Sequence, residues 1–398
     1  MGLFKKKLDY ILKHNVFFSK VFRGTVSLIF RFLGFFYPIK KNTVLFTAHN
    51  RGYNDSSRAI YEQMLKDKRF SNFTFYWGLD DPSADIPGNP IKVKADTWKY
   101  FKTAFKCQYW VTCVNIERSL RFKKKKQLYL NTDHGITIKT CGNDAAGRKD
   151  YNFFYINFYC VSGSYEREMY IRCFNLNPKN IIHTGLPRND ELYRITQKEV
   201  IDIKKRLGLS DKKIILYAPT WRDSNDVGKT YSLRPPINIE KWQKLLGNEY
   251  IVLLRAHPYT TQLLGIEFNE FIRDFSSYGV VNDLIKIADI LISDYSAIIF
   301  DYAITEKPIF CFAYDYDDYK KNRGIALDLR NEFPGGIVED EDELLERIQN
   351  IDYDKACKEV ASFKNKYIEY GGNATNMCID ALFSDLQSEQ EIKNDLRK

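Results

Sequence analysis

From Asn42 onward, short apolar runs that break into polar tips alternate with segments whose apolar positions recur every three or four residues. "NTVLFTAH" (42–49), "FTFYWGL" (73–79), "YWVTCVN" (109–115), "KKQLYLNTDHG" (125–135), "YCVSGS" (159–164) and "NIIHTGLPR" (180–188) read as strands. "DSSRAIYEQMLKD" (55–67), capped by Asp55 or Ser56, and "TWKYFKTAF" (97–105) read as helices between them. The rhythm predicts a parallel sheet with helices on both faces. After the charged helix "TQKEVIDIKKRLGL" (196–209) a second series begins. Its strands are "KIILYAPT" (213–220), "YIVLLRAHP" (250–258), "YGVVND" (278–283) and "DILISDYS" (289–296), with "KPIFCFAYD" (307–315) after one more helix. The expected fold is α/β, with two doubly wound Rossmann-type domains in series, residues 42–192 and 193–398. Polar residues gathered at strand ends place a ligand in the cleft between them. The helices from Glu341 on either close the second domain or cross back to the first.

A length of 398 residues agrees with two domains, and 44% apolar with 28% charged residues describes a soluble globular chain. The eight cysteines include no Cys-x-x-Cys pair and no Cys/His cluster at zinc spacing, so reduced core thiols are expected, with no metal and no disulfide framework. No cofactor is implied. The net charge of +9 changes the picture once it is located: residues 1–41 hold nine Lys or Arg against one acid, Asp9, and the remainder is nearly neutral. That basic segment interleaves its cations with Phe, Leu, Ile and Val, and Phe4, Leu8, Ile11 and Leu12 fall at helical spacing. No uncharged run in it approaches the roughly 20 residues of a membrane span, and no secretory cleavage site follows. A basic amphipathic helix lying in an anionic leaflet is expected; packing on the protein body is the other reading. No base-reading module accompanies it, so no nucleic-acid partner is expected.

Five strand tips carry residues able to do chemistry: "TDHG" (132–135), "TGLPRND" (184–190), "APTWRD" (218–223), "RAHP" (255–258) and "SDYS" (293–296). His134 and His257, two of only five histidines, each stand at such a tip, one per domain. Arg188, Arg222 and Arg255 offer guanidinium forks suited to phosphate oxygens, or ion pairs with Asp190, Asp223 or another acid. Ser293, Asp294 and Ser296 open a helix, where unpaired N–H groups favour phosphate, although such residues also serve as simple caps. Gly135 and Thr220 complete the candidate set. Asp301, about two turns into that helix, is placed on ribose hydroxyls by analogy with two-domain nucleotide-sugar transferases.

Seven stretches in order resemble the CDP-glycerol glycerophosphotransferases of teichoic-acid and capsule synthesis: "RGYNDSSRAIYEQM", "DHGITIKTCGND", "HTGLPRNDEL", "LYAPTWRD", "LLRAHP", "LISDYSAIIFDYAITEKPIFCF" and "YGGNATNMCIDAL". The resemblance runs from about Asn42 to Leu382. It implies a GT-B-like pair of domains, attached peripherally to the cytoplasmic face of the cell membrane through residues 1–41. The implied reaction transfers glycerol phosphate from CDP-glycerol to a lipid-linked glycan acceptor and releases CMP. By the same resemblance His134 is the base for the acceptor hydroxyl, Arg222, His257, Ser293 and Ser296 hold the pyrophosphate, and Asp301 holds the ribose. The chain departs from the family where Asp133 precedes the His-Gly pair in place of an aromatic residue, and where Thr137-Ile138-Lys139 replaces Pro-Leu-Lys. That departure bears on the acceptor, and Asp133 would raise the basicity of His134 if its carboxylate lies near.

Three other functions remain open on sequence grounds. A ribitol-phosphate transferase using CDP-ribitol, or a GT-B glycosyltransferase using a sugar nucleotide, would share the fold, and a non-catalytic membrane scaffold would share the basic segment.

Overall fold

The computed structural model of the chain describes residues 16–146, 149–220, 235–256 and 266–384. The chain forms two compact units that are not consecutive halves. Residues 1–134, 142–190 and 370–398 make the first, and residues 135–141 and 191–369 make the second.

In the first unit seven strands form one sheet in the order β3-β2-β1-β4-β5-β6-β7. They are β1 (Lys40–Thr47), β2 (Thr74–Leu79), β3 (Ile91–Lys94), β4 (Cys107–Thr112), β5 (Leu128–Asn131), β6 (Phe158–Val161) and β7 (Ile181–His183). All neighbours are parallel. A parallel sheet needs helices on both faces, which is why its strands read as near-continuous apolar runs. The core on one face joins Val44, Phe46, Trp77, Val111 and Leu130 to Ile60, Tyr61 and Met64 of the helix Asp55–Lys66. Cys378, Ile379, Leu382 and Phe383, from the last described helix (Ala374–Leu382) and the residue after it, complete the same core. Asp190 caps that helix, accepting from the N–H groups of Ala374 and Thr375 at 2.8 Å each. Gly185 has φ +77°, and a Cβ there would stand 2.5 Å from the Tyr370 carbonyl, so only glycine fits the close approach.

The helix Val16–Phe35 also belongs to the first unit. Phe30 packs edge-on against Phe101 and Phe105 and beside Phe122, with ring centroids 5.0–5.8 Å apart. Arg23 pairs with Asp150 at 2.8 Å. Its other side is apolar too, with Phe17, Leu28, Ile29, Phe32 and Phe35 exposed. Packing on the body therefore accounts for one side of the expected amphipathic helix only; Phe4, Leu8, Ile11 and Leu12 lie outside the described residues. No described helix is long and apolar enough to cross a membrane.

The second unit has six parallel strands in the order β10-β9-β8-β11-β12-β13. They are β8 (Lys213–Ala218), β9 (Tyr250–Leu254), β10 (Ile272–Asp274), β11 (Ile290–Ser293), β12 (Ile309–Phe312) and β13 (Ile337–Val338). The expected strand at 278–283 is a correction. Residues Val281–Ile287 form a helix, and the edge strand is Ile272–Asp274 instead. Leu284, Ile285 and Ile287 continue the apolar run at helical spacing and are buried, so the period of 3.6 wins over the Val280-Val281 pair.

Both sheets have the strand order of a Rossmann fold, in which the chain reverses its direction of winding between the first and fourth strands. That switch point opens a crevice beyond the carboxyl ends of the strands. In the first unit it lies at the ends of β1 and β4, and in the second at the ends of β8 and β11.

Candidate active site

The switch point of the first sheet is where His134 arrives. Past β5, Thr132 is tied to the end of β4 through its N–H and the Thr112 carbonyl. Asp133 then takes the left-handed conformation, φ 54°, which turns the chain and folds its carboxylate back on the next residue. Asp133 Oδ1 accepts the backbone N–H of His134 at 2.5 Å and lies 2.8 Å from Nδ1 of the ring. Tyr159 donates its hydroxyl to Oδ2 at 2.5 Å. The carbonyl oxygen of Cys113 is 3.2 Å from the same Nδ1. Both neighbours of Nδ1 are acceptors, so Nδ1 carries the proton, and neutral His134 presents a lone pair at Nε2. Nε2 has no hydrogen-bond partner among the described residues.

The buried Asp133 carboxylate, by its charge and then by its hydrogen bond, raises the His134 pKa from 6.5 to about 9. Burial opposes ionisation of Asp133 itself, but the His134 charge and hydrogen bonds from His134 and Tyr159 hold its pKa below the ordinary value. The His134 side chain keeps 53% of its surface, so the pair is rooted in the protein and open at its outer edge.

Arg188 braces this tip from below. Its Nη1 contacts both oxygens of Asp55 at 2.9–3.0 Å and donates to the His134 carbonyl at 2.9 Å. The guanidinium expected to meet phosphate is thus engaged in an ion pair whose side chains are only 11% and 13% exposed. The partner is Asp55, from the start of the helix that sequence reading assigned to capping alone. Gly135, with φ 136°, is where the chain passes into the second unit. There Lys139 bridges Ile325 in antiparallel fashion, and its ammonium sits 5.8 Å from the Tyr319 ring centre.

A histidine not singled out from the sequence stands beside His134. His49 follows β1, and its ring stacks on that of His134 with centroids 5.5 Å apart and planes 26° apart. Burial and then the His134 charge lower its pKa from 6.5. The signal was present, because "NTVLFTAH" ends on it at the same kind of strand tip that singled out His134.

In the second unit the turn after β11 meets the end of β8. Ser293 Oγ donates to the Ala218 carbonyl at 2.7 Å, and Asp294 Oδ1 accepts the N–H groups of Thr220 and Tyr295 at 2.8 and 2.6 Å. Ser293 and Asp294 are each 1% exposed, so these two lock the strand ends together and shape the site from beneath. Ser296 is half-buried and accepts the Ile298 N–H through Oγ at 3.4 Å. Tyr295, 1% exposed, stacks on Tyr319 at 3.8 Å and donates to Asp315 at 3.0 Å. The helix begins only at Ile298, so Asp301 lies in its first turn, one turn earlier than expected. Asp294 and Ser296 hold the preceding residues in a non-helical turn, which delays the start. Arg255 Nη1 donates to the carbonyls of Phe275 and Tyr278 at 3.2 and 2.7 Å, which pins the separate turn at Phe275–Tyr278 after β10, while burial lowers its pKa. His257 and Arg222 lie outside the described residues. Among the described residues no cluster of His, Cys, Asp or Glu is arranged to hold a metal ion.

Two Rossmann-ordered parallel units, each with polar residues at its switch point, define the class as GT-B-like. The sequence profile of the CDP-Glycerol:Poly(glycerophosphate) glycerophosphotransferase family matches residues 29–384, and the chain belongs to this family. It is 31% identical over 375 residues to a teichoic acid poly(glycerol phosphate) polymerase of Staphylococcus epidermidis, covering 88% of this chain and 52% of that protein. It is 34% identical over 337 residues to the polymerase of the same description from Bacillus subtilis, covering 79% of this chain and 44% of that protein. The chain thus spans about half the length of these curated relatives. Among solved structures, the wall teichoic acid polymerase TagF, as a histidine-to-asparagine variant described with CDPG, aligns with a TM-score of 0.79 at 28% identity. That alignment covers 94% of this chain and 98% of the other.

Proposed function

We propose that the protein transfers glycerol phosphate from CDP-glycerol to a hydroxyl of a poly(glycerophosphate) or other lipid-linked acceptor and releases CMP. The observation that carries this reading is the Asp133–His134 pair, with Nδ1–H held by two acceptors and Nε2 without a hydrogen-bond partner among the described residues. An alcohol is a poor nucleophile at neutral pH and needs a base within hydrogen-bond reach. In the proposed step Nε2 takes the hydroxyl proton while the oxygen attacks the β-phosphorus. The new O–P bond forms as the bond to CMP breaks, and CMP carries away the electron pair.

Charge develops on the phosphoryl oxygens and on CMP, and fixed donors are what stabilise it. In this reading the hydroxyls of Thr220 and Ser296 and the backbone N–H groups of the turn after β11 face the pyrophosphate, aided by Arg222 and His257. Asp301 takes the ribose. Ser293 and Asp294 serve by holding that turn, and Arg188 by holding the loop of the base. Arg255 keeps Nη2 and Nε without hydrogen-bond partners among the described residues, so it remains a candidate for phosphate.

The same reading puts the protein at a membrane surface, on the cytoplasmic face where a nucleotide-activated donor is available. The exposed Phe17, Leu28, Phe32 and Phe35 of the helix Val16–Phe35 support it, together with the excess of Lys and Arg in residues 1–41. The deciding experiment offers CDP-glycerol, CDP-ribitol and a UDP-sugar in turn, each with a lipid-linked acceptor, and follows CMP or UDP release and product mass. Gain of one or more glycerol phosphate units from CDP-glycerol supports the proposal. Transfer from CDP-ribitol or the UDP-sugar alone replaces it, and no turnover of any donor favours a scaffold.

A further inference from the structure

We propose that His49 is a specificity-determining residue on the acceptor side, whose ring engages the hydroxyl next to the one that attacks. This rests on the transfer reading above, with an acceptor that ends in glycerol and so offers two hydroxyls on neighbouring carbons.

Three features of the first unit support it. The His49 ring stacks on His134 at 5.5 Å, and its nitrogens have no hydrogen-bond partner among the described residues. A hydrogen bond reaches about 2.6–3.2 Å, so two stacked imidazoles can each touch one member of a vicinal pair. One ring then takes the proton while its neighbour fixes which carbon presents its oxygen.

The backbone around His49 is also held firmly, as a positioning group requires. The His49 carbonyl accepts from Gly52 N at 3.1 Å and from Asn54 Nδ2 at 3.2 Å. Arg51, next along, donates through Nη1 to the Asn115 carbonyl at 2.7 Å and lies over the Tyr100 ring. Asn50, Arg51 and Asp55 all adopt the left-handed conformation, with φ of 51°, 54° and 58°. Non-glycine residues resist that region, and their clustering next to the base marks a loop shaped for a task.

The charge state fits as well. Burial and the neighbouring His134 charge lower the His49 pKa, although Asp55 acts in the opposite sense and Arg188 in the same one. The ring is therefore uncharged at neutral pH and has both a donor and an acceptor nitrogen for a hydroxyl.

The test uses the full chain, CDP-glycerol and two short soluble acceptors. One ends in glycerol phosphate, and the other ends in the propane-1,3-diol analogue that lacks the middle hydroxyl. The parent is expected to favour the glycerol end by about three- to tenfold in kcat/KM, the range of one neutral hydrogen bond. His49→Phe, which keeps a ring, and His49→Ala, which does not, should both use the two acceptors equally, with KM for CDP-glycerol within about twofold. His49→Gln should recover part of the preference. A Phe or Ala variant that still discriminates as the parent does overturns the inference, and so does a parent with no preference. If the parent transfers nothing to either acceptor, the transfer reading itself falls, which is a different result.

Discussion

Asp133→Asn separates the charge of this carboxylate from its shape. With the His134 pKa at about 9, only about 1% of the imidazole is free base at pH 7. Turnover limited by that base should rise nearly tenfold per pH unit from pH 6 and level off near pH 9. Asparagine keeps the size of the side chain but removes the charge that is the largest cause of the raised pKa. The pKa then falls toward 6.5, and roughly three-quarters of His134 is free base at pH 7. The gain in population is offset by a weaker base and a less firmly oriented ring. The two enzymes should therefore differ by less than about tenfold at pH 7, yet diverge at pH 9, where the parent has kept rising and the variant has been flat since pH 7 or so. Initial rates of CMP release at constant ionic strength give both profiles, and the imidazole resonances of His134 report its titration directly. If parent and variant rise through the same pH, Asp133 does not control the base, and the proton is taken by another group.

His134→Ala should abolish transfer while CDP-glycerol binding stays within a few-fold by calorimetry, because in the proposed step the ring acts on the acceptor. Ser296→Ala should weaken CMP binding about three- to tenfold with little change in melting temperature. Asp294→Ala should instead destabilise the fold by about 1–3 kcal/mol, seen in denaturant midpoints, because it orphans the N–H groups of Thr220 and Tyr295. Phe32→Glu with Phe35→Glu should release the protein from anionic vesicles and leave its melting temperature unchanged, since both side chains are exposed. Vesicle binding of the parent should also weaken with salt. Deleting the whole helix is a poorer test, because it strips Phe30 from Phe101, Phe105 and Phe122.

The strands were legible wherever a long apolar run ended in a cluster of polar residues, as at Val44–Thr47 and Ile290–Ser293. Such runs are what a sheet covered on both faces demands. The short edge strands Ile91–Lys94 and Ile272–Asp274 were not, because they have too few residues to set a period. The position of His134 just past a strand end could be read, and so could the turn at Ser293–Ser296. Pairings could not be read. That Arg188 answers to Asp55, 133 positions away, depends on two loops meeting beyond the same sheet. The stacking of His49 on His134 depends on the strand order that puts β1 and β5 on either side of β4.

The helix Ala374–Leu382 has a consequence for how the protein is made. Its Cys378, Ile379 and Leu382 fill a core begun by Val44 and Phe46, so the first sheet stays unfinished until nearly the last described residue has been synthesised. At ribosomal speeds of roughly 5–20 residues per second, that wait lasts on the order of 15–60 seconds. During it, the part of one apolar face that the helix Asp55–Lys66 does not cover is open to chaperones and proteases. The loops that carry His49 and His134 stand on that sheet. A nascent chain therefore lacks a finished support for these two loops until synthesis has passed Leu382, and any chain cut short before then loses part of the cover of its own core.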